Sequence, residues 1–320
     1  MFRAAPSVRT VTSYAARMTP LLLGLVVVFW MAPAVAQSEV TSDGQGLSVF
    51  AAIVLGLVEG ITEYLPVSST GHLLVTNEVL GLGGTESADN ALEAYAICIQ
   101  AGAILAVFVV YLDRIKQMFE GLLGRSDEGR RVLTAVIVAF VPTAIIAVAI
   151  FDRVREQLFG VTPIAVAWFV GGLVIIALSR TGFFDRAGVE LTEITLRQAG
   201  LIGVMQALAV WPGTSRSLVT IIAGVLVGLS LRAAVEFSFL LGLITLSAAT
   251  VYAGLSDGQT MVDNFGYLTP LIGLVVAFIS AVAAVRWMVA WLNDRGFEVF
   301  GWYRLVIGVA AFGAVGAGWL

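Results

Sequence analysis

The chain has 320 residues, of which 59% are hydrophobic and 12% charged, with mean hydropathy +0.95 and formal net charge −4. Soluble domains carry about twice that charged fraction, so a single water-soluble core is excluded. One cysteine, Cys98, and one histidine, His72, rule out an internal disulfide and any chemistry needing two imidazoles, and the charge balance offers no surface for nucleic acid.

At the amino terminus, Arg3, Arg9 and Arg17 precede a short apolar stretch at 21–30, and Ala34-Val35-Ala36 follows. A basic region, a short apolar run and an A-x-A site make residues 1–36 signal-peptide-like. Residues 37–48 read as a polar linker and 49–320 as the membrane domain. Apolar runs near 95–112, 133–150, 162–179, 234–254, 268–290 and 302–320 are long enough to span a bilayer. Basic residues set their direction. Arg114, Lys116, Arg125, Arg130 and Arg131 place 113–131 in the cytoplasm, as Arg180, Arg186 and Arg197 do for 180–198 and Arg295 does for 291–301. Stretches 77–94 and 255–267 carry acids and no basic residue and fall outside, while 151–161 falls outside despite Arg153 and Arg155.

Two apolar segments remain, 49–76 and 199–230. Each is broken midway by a proline followed by hydroxyl residues: Pro66-Val67-Ser68-Ser69-Thr70-Gly71 and Pro212-Gly213-Thr214-Ser215-Arg216-Ser217. They read as helical hairpins entering the membrane from opposite faces, with backbone tolerated at depth only where protein or a water-filled cavity surrounds it. The halves, about 49–179 and 199–320, echo one another. Ser69 and Ser215 each lie three residues after a proline, and each hairpin is followed by a span ending in tyrosine, Tyr111 or Tyr252. The expected fold is all-α, six transmembrane helices plus two inverted re-entrant hairpins in an inverted repeat, a pattern that marks a site between the halves.

The chemistry concentrates in the two breaks. Glu59 and Glu63 share one helix face. With Arg216, they cost about 8–10 kcal/mol at bilayer depth unless they meet in a polar cavity. A buried Glu–Arg pair needs only one carboxylate; two suit a hard divalent cation, Mg2+ or Ca2+, whose remaining positions water and substrate phosphate fill. His72 shares a turn with Ser68, Ser69 and Thr70; alone it would read as a core histidine, but beside two acids it fits activation of a hydroxyl or water. Arg216, flanked by Ser215 and Ser217, fits forked recognition of phosphate rather than a snorkelling side chain. The proline–glycine break before it exposes backbone N–H groups to the same place. The set suits phosphoryl transfer, and a polyprenyl-phosphate transporter or flippase with the same repeat stays open. An intramembrane serine protease built on Ser69 and His72 has poor dyad geometry.

Residues 55–73 (LGLVEGITEYLPVSSTGHL) and 211–229 (WPGTSRSLVTIIAGVLVGL) resemble the two signature regions of bacterial undecaprenyl-diphosphate phosphatases of the bacitracin-resistance type, with similarity extending from about residue 48 to the carboxyl end. The resemblance implies hydrolysis of undecaprenyl diphosphate to the monophosphate, recycling the lipid carrier for peptidoglycan synthesis and conferring bacitracin resistance. It also implies a divalent cation and a site in the inner membrane opening to the periplasm. By the resemblance, Glu59 and Glu63 match the metal-linked acids, His72 the essential histidine and Ser69 a proposed nucleophile, while Ser68, Thr70, Ser215, Arg216 and Ser217 match the diphosphate-binding set. Whether serine or histidine attacks stays open; the arrangement favoured is Ser69 attacking, with Glu63 and His72 as base and partner. The lipid diphosphate, membrane lipids and a second copy of the chain are the expected partners. Leu218 and Val219 depart from the glycine and alanine of the family pattern, which narrows the backbone approach to the diphosphate.

Overall fold

A computed structural model describes residues 47–320; the signal-like segment and nearly all of the 37–48 linker lie outside the described residues. Described elements are α-helices, three short 3-10 turns and one isolated bridge between Val189 and Leu229. The first pair of short helices is α1 (Val49–Thr62) and α2 (Ser69–Val79), followed by α3 (Glu86–Val110), α4 (Leu112–Leu122), α5 (Asp127–Leu158) and α6 (Val161–Arg180). The second pair is α7 (Leu196–Gln206), extended by a 3-10 turn at Ala207–Val210, and α8 (Arg216–Leu226). The chain ends with α9 (Leu231–Phe265), α10 (Leu268–Asp294) and α11 (Glu298–Gly316). Six of these helices, α3, α5, α6, α9, α10 and α11, contain a stretch long and apolar enough to cross a membrane. Their outward residues include Ile145, Val148, Leu255 and Ile279, all exposed and apolar, as a lipid-facing surface requires. This is a multi-pass membrane protein.

Hydroxyl caps set many of the starts. Ser48, Thr85, Ser126, Thr195 and Ser230 each accept a backbone N–H from the first turn of the helix that follows. These caps explain where helices outrun the apolar stretches. Glu86 and Asp89 fall in the first turn of α3, where carboxylates favour the helix dipole, so much of the acidic 77–94 stretch is helix. The basic 113–131 stretch holds α4 and the start of α5, and α5 and α9 continue as helix through most of 151–161 and 255–267. Hydropathy marks the bilayer slab, whereas capping marks the helix end. Tyr111 caps α3, and Tyr252 ends the membrane-crossing stretch of α9, whose helix runs on to Phe265.

Packing between the halves is reciprocal. Helix α1 packs on α10, and its counterpart α7 packs on α5; α3 packs on α9, and α6 on α11. Close approach at the two reciprocal contacts needs glycine: a Cβ at Gly56 would collide with the Gly273 carbonyl, and one at Gly203 with the Ala139 carbonyl. Ends of like charge also gather. Arg114 pairs with Glu236 at 2.6 Å, Arg131 donates to the Thr192 carbonyl and Arg180 lies 3.8 Å from Glu298, so the basic connections share one end of the bundle. At the other end Asn264 reaches Ser87, beside the acidic start of α3.

Candidate active site

Each broken pair turns at a serine in the left-handed region, Ser68 with φ 76° and Ser215 with φ 75°. Among the described residues these are the two non-glycine residues with positive φ, a conformation costing about 1–3 kcal/mol that persists only where the surroundings enforce it. The structural match between halves is therefore Ser68 with Ser215 and Ser69 with Arg216, one residue away from the register obtained by counting from the prolines. From Gly56 to Ser68 is the same interval as from Gly203 to Ser215, which puts Gln206 where the first half has Glu59.

The two breaks meet. Ser69 Oγ donates a short hydrogen bond to Glu63 Oε2, and Arg216 Nη2 donates to Glu63 Oε1 at 3.2 Å. Glu59 sits one turn earlier on the same helix, its carbonyl accepting the Glu63 amide at 2.9 Å. Arg216 Nη1 donates to the Ser238 carbonyl at 3.0 Å, and its guanidinium lies 5.4 Å from the centre of the Tyr64 ring. Gly242 makes room: a Cβ there would collide with the Arg216 guanidinium. Three buried polar atoms around this cluster, Glu59 Oε1, Tyr64 Oη and Arg216 Nε, have no hydrogen-bond partner. Burying such atoms unpaired costs roughly 1–3 kcal/mol each, so this cluster holds acceptors and donors free to bind a polar group. Because Ser69 and Arg216 open α2 and α8, the amino ends of both half-helices converge here, and no side chain caps the first turn of α2.

Not every expected residue joins this contact. His72 is bonded to neither Glu63 nor Ser69. Its Nδ1 donates to the Ser68 carbonyl at 2.6 Å, which leaves Nε2 to accept from Tyr303 Oη at 2.8 Å. Ser217 donates to the Leu65 carbonyl at 2.9 Å, and Ser215 Oγ bonds Ser217 Oγ at 3.1 Å while accepting the Leu218 amide. Both serines thus tie the turns together. Thr70 is exposed and outside this network, and Leu218 is buried in the apolar core.

Sequence reasoning missed Arg304, Tyr303 and Trp168. The carbonyls freed by the first break are taken one after another: Leu65 by Ser217, Pro66 by Arg304 at 3.2 Å, Val67 by Trp168 Nε1 at 2.9 Å and Ser68 by His72. Arg304 was detectable, since an arginine inside the last apolar run carries the same insertion cost that singled out Arg216. A separate cavity of about 880 Å3 lies at the basic end, lined among others by Tyr111, Arg114, Arg232, Glu236, Arg295 and Phe297. Its Arg114 is engaged by Glu236, while Ser179 Oγ in its wall is buried without a hydrogen-bond partner.

Fold and site together define a class: an integral membrane protein in which two facing helix breaks bring a serine, a glutamate and an arginine into contact. The chain matches the family described as bacitracin resistance protein BacA over residues 52–310. It belongs to that family. Among its relatives is an undecaprenyl-diphosphatase from Sorangium cellulosum, 38% identical over 81% of this chain and 84% of its own length. Another is undecaprenyl-diphosphatase 1 of Chromobacterium violaceum, 37% identical over 83% of this chain and 96% of its own length. Undecaprenyl-diphosphatase 2 of Rhodospirillum rubrum is 39% identical over 83% and 95% respectively.

Proposed function

We infer that this chain is an undecaprenyl-diphosphate phosphatase, releasing the terminal phosphate of the lipid diphosphate where its two helix breaks meet. One observation carries the chemistry: the Ser69 hydroxyl is bonded to Glu63, which is bonded to Arg216 of the other half. Glu63 is placed to take the Ser69 proton as Oγ attacks the terminal phosphorus, and undecaprenyl phosphate departs. Water then cleaves the phosphoserine, giving phosphate and restoring the hydroxyl. Arg216 turns Nη2 from Glu63, together with its unpartnered Nε, to the phosphoryl oxygens, where negative charge accumulates. His72 acts through the backbone of Ser68 rather than on the nucleophile.

A divalent cation fits this donor set. Glu59 Oε1 is a buried carboxylate oxygen without a partner beside Glu63, and hard cations take oxygen ligands. Among the described residues no group of three or more His, Cys, Asp or Glu side chains gathers, so the protein would supply Glu59 and Glu63 and leave the other positions to water and diphosphate. When bound, Mg2+ or Ca2+ would neutralise charge on the phosphoryl oxygens.

The basic end faces the cytoplasm by the positive-inside rule, and the first pair then enters from the periplasmic side of the inner membrane. Each half has three spans, an odd number, so two re-entrant pairs start on opposite faces and form an inverted repeat. The site lies about 16 Å along α2 from its outer end, and about as far along α8 from its inner end, near mid-membrane. The direct test is phosphate release from undecaprenyl diphosphate by purified full-length protein with and without Mg2+. Release that depends on Ser69, Glu63 and Arg216 supports the assignment; release that survives Glu63→Gln and Arg216→Gln overturns the site. No release from the intact protein overturns the activity and favours transport of the lipid phosphate.

A further inference from the structure

Helix α11 contributes two adjacent side chains to the breaks, and neither touches Ser69, Glu63 or Arg216. Arg304 is fully buried and, among the described residues, forms no ion pair. Its guanidinium donates to three carbonyls from three different elements: Pro66 in the first break at 3.2 Å, Gly213 in the second at 2.8 Å and Ala167 of α6 at 2.8 Å. The fold clears space for it, because a Cβ at Gly171 would collide with the guanidinium. A buried charge used only to fill volume is a net cost, and an apolar side chain of similar size would serve better. A planar fork that joins both breaks has another use: it fixes one turn against the other.

Tyr303 holds the first break by a second route. Its hydroxyl donates to His72 Nε2 at 2.8 Å, with the two rings stacked at 5.8 Å and 8°. His72 in turn donates to the carbonyl of Ser68, the residue held at φ 76°. That dihedral determines where α2 starts and so where Ser69 points.

We propose that Tyr303 and Arg304 are positioning residues: from one helix they hold the two breaks in the register that brings Ser69, Glu63 and Arg216 into contact. The kinetic part rests on the phosphatase reading, whereas the register itself can be measured without activity. Misplacing a nucleophile by about 1 Å costs on the order of a hundredfold, and lost supporting contacts cost about 10–100-fold.

The test compares full-length wild-type, Tyr303→Phe and Arg304→Lys proteins by steady-state phosphate release and by backbone hydrogen exchange. Tyr303→Phe is expected to lower kcat about tenfold or more with KM within about twofold. It should have no further effect in a His72→Ala background, since it acts through that ring. Exchange should rise in peptides covering 67–72 alone. Arg304→Lys keeps the charge but not the fork, so exchange should rise over both 67–72 and 213–218, with a larger fall in kcat. Unchanged exchange in both segments, or a rise spread evenly over the chain, overturns the proposal, as does a Tyr303→Phe loss that persists undiminished without His72. Localised exchange in a protein whose wild-type form releases no phosphate supports the register and overturns the phosphatase reading instead.

Discussion

In the proposed reaction Glu63 is the central residue, because each of its oxygens has a separate partner: one receives the Ser69 hydroxyl, the other Arg216. Replacing it by glutamine keeps the shape and removes the base, so phosphate release should fall by about 10²–10⁴-fold. Arg216→Lys should lose on the order of 10²-fold, since an ammonium cannot make forked contacts to phosphoryl oxygens; a rate within a few-fold of wild type would exclude bidentate binding. Chelation by EDTA is expected to abolish release and added Mg2+ to restore it, and full activity in chelator would remove Glu59 from any cation site. These residues were legible in the sequence because charge at bilayer depth is expensive and must have a use. What was not legible was their division of labour. His72 lies close to Ser69 in sequence, yet the helical turn carries its ring to Tyr303, a residue far away in the chain. Thr70 follows Ser69 directly and is turned outward by the same helical period.

Among the elements, α9 offers a controlled comparison. Gly242→Ala puts a methyl group where the Arg216 guanidinium lies, whereas Gly254 on the same helix faces open space. Gly242→Ala should therefore reduce phosphate release at least tenfold with little change in thermal midpoint, because the arginine moves and the helix does not. Gly254→Ala should keep wild-type release and gain up to about 1 kcal/mol of helix stability, read as an unchanged or raised midpoint. Equal activity in the two variants would mean that the position of Arg216 is unimportant. The broken pairs themselves were readable from proline followed by hydroxyl residues. Their register was not, because it is set by the serines held at positive φ rather than by the prolines. Helix ends beyond the bilayer slab were also hidden from hydropathy and depend on caps such as Thr85 and Ser126.

At the scale of the molecule, the reciprocal packing of α1 on α10 and α7 on α5 makes each half incomplete without the other. Glu63 and Ser69 come from one half and Arg216 from the other, so the proposed site needs both halves. Orientation can be measured directly. With Cys98 replaced by serine, Asp89→Cys should react with a membrane-impermeant thiol reagent in intact cells, and Arg125→Cys only after lysis; the opposite pattern would invert the molecule. The most direct measurement of the shared site is a double-mutant cycle on phosphate release from undecaprenyl diphosphate, using Glu63→Gln, Arg216→Gln and the pair together. Groups that act as one unit are non-additive, so the double variant should lose about as much as the worse single variant. Losses that multiply would show two residues working independently, and would contradict a pocket assembled from both halves.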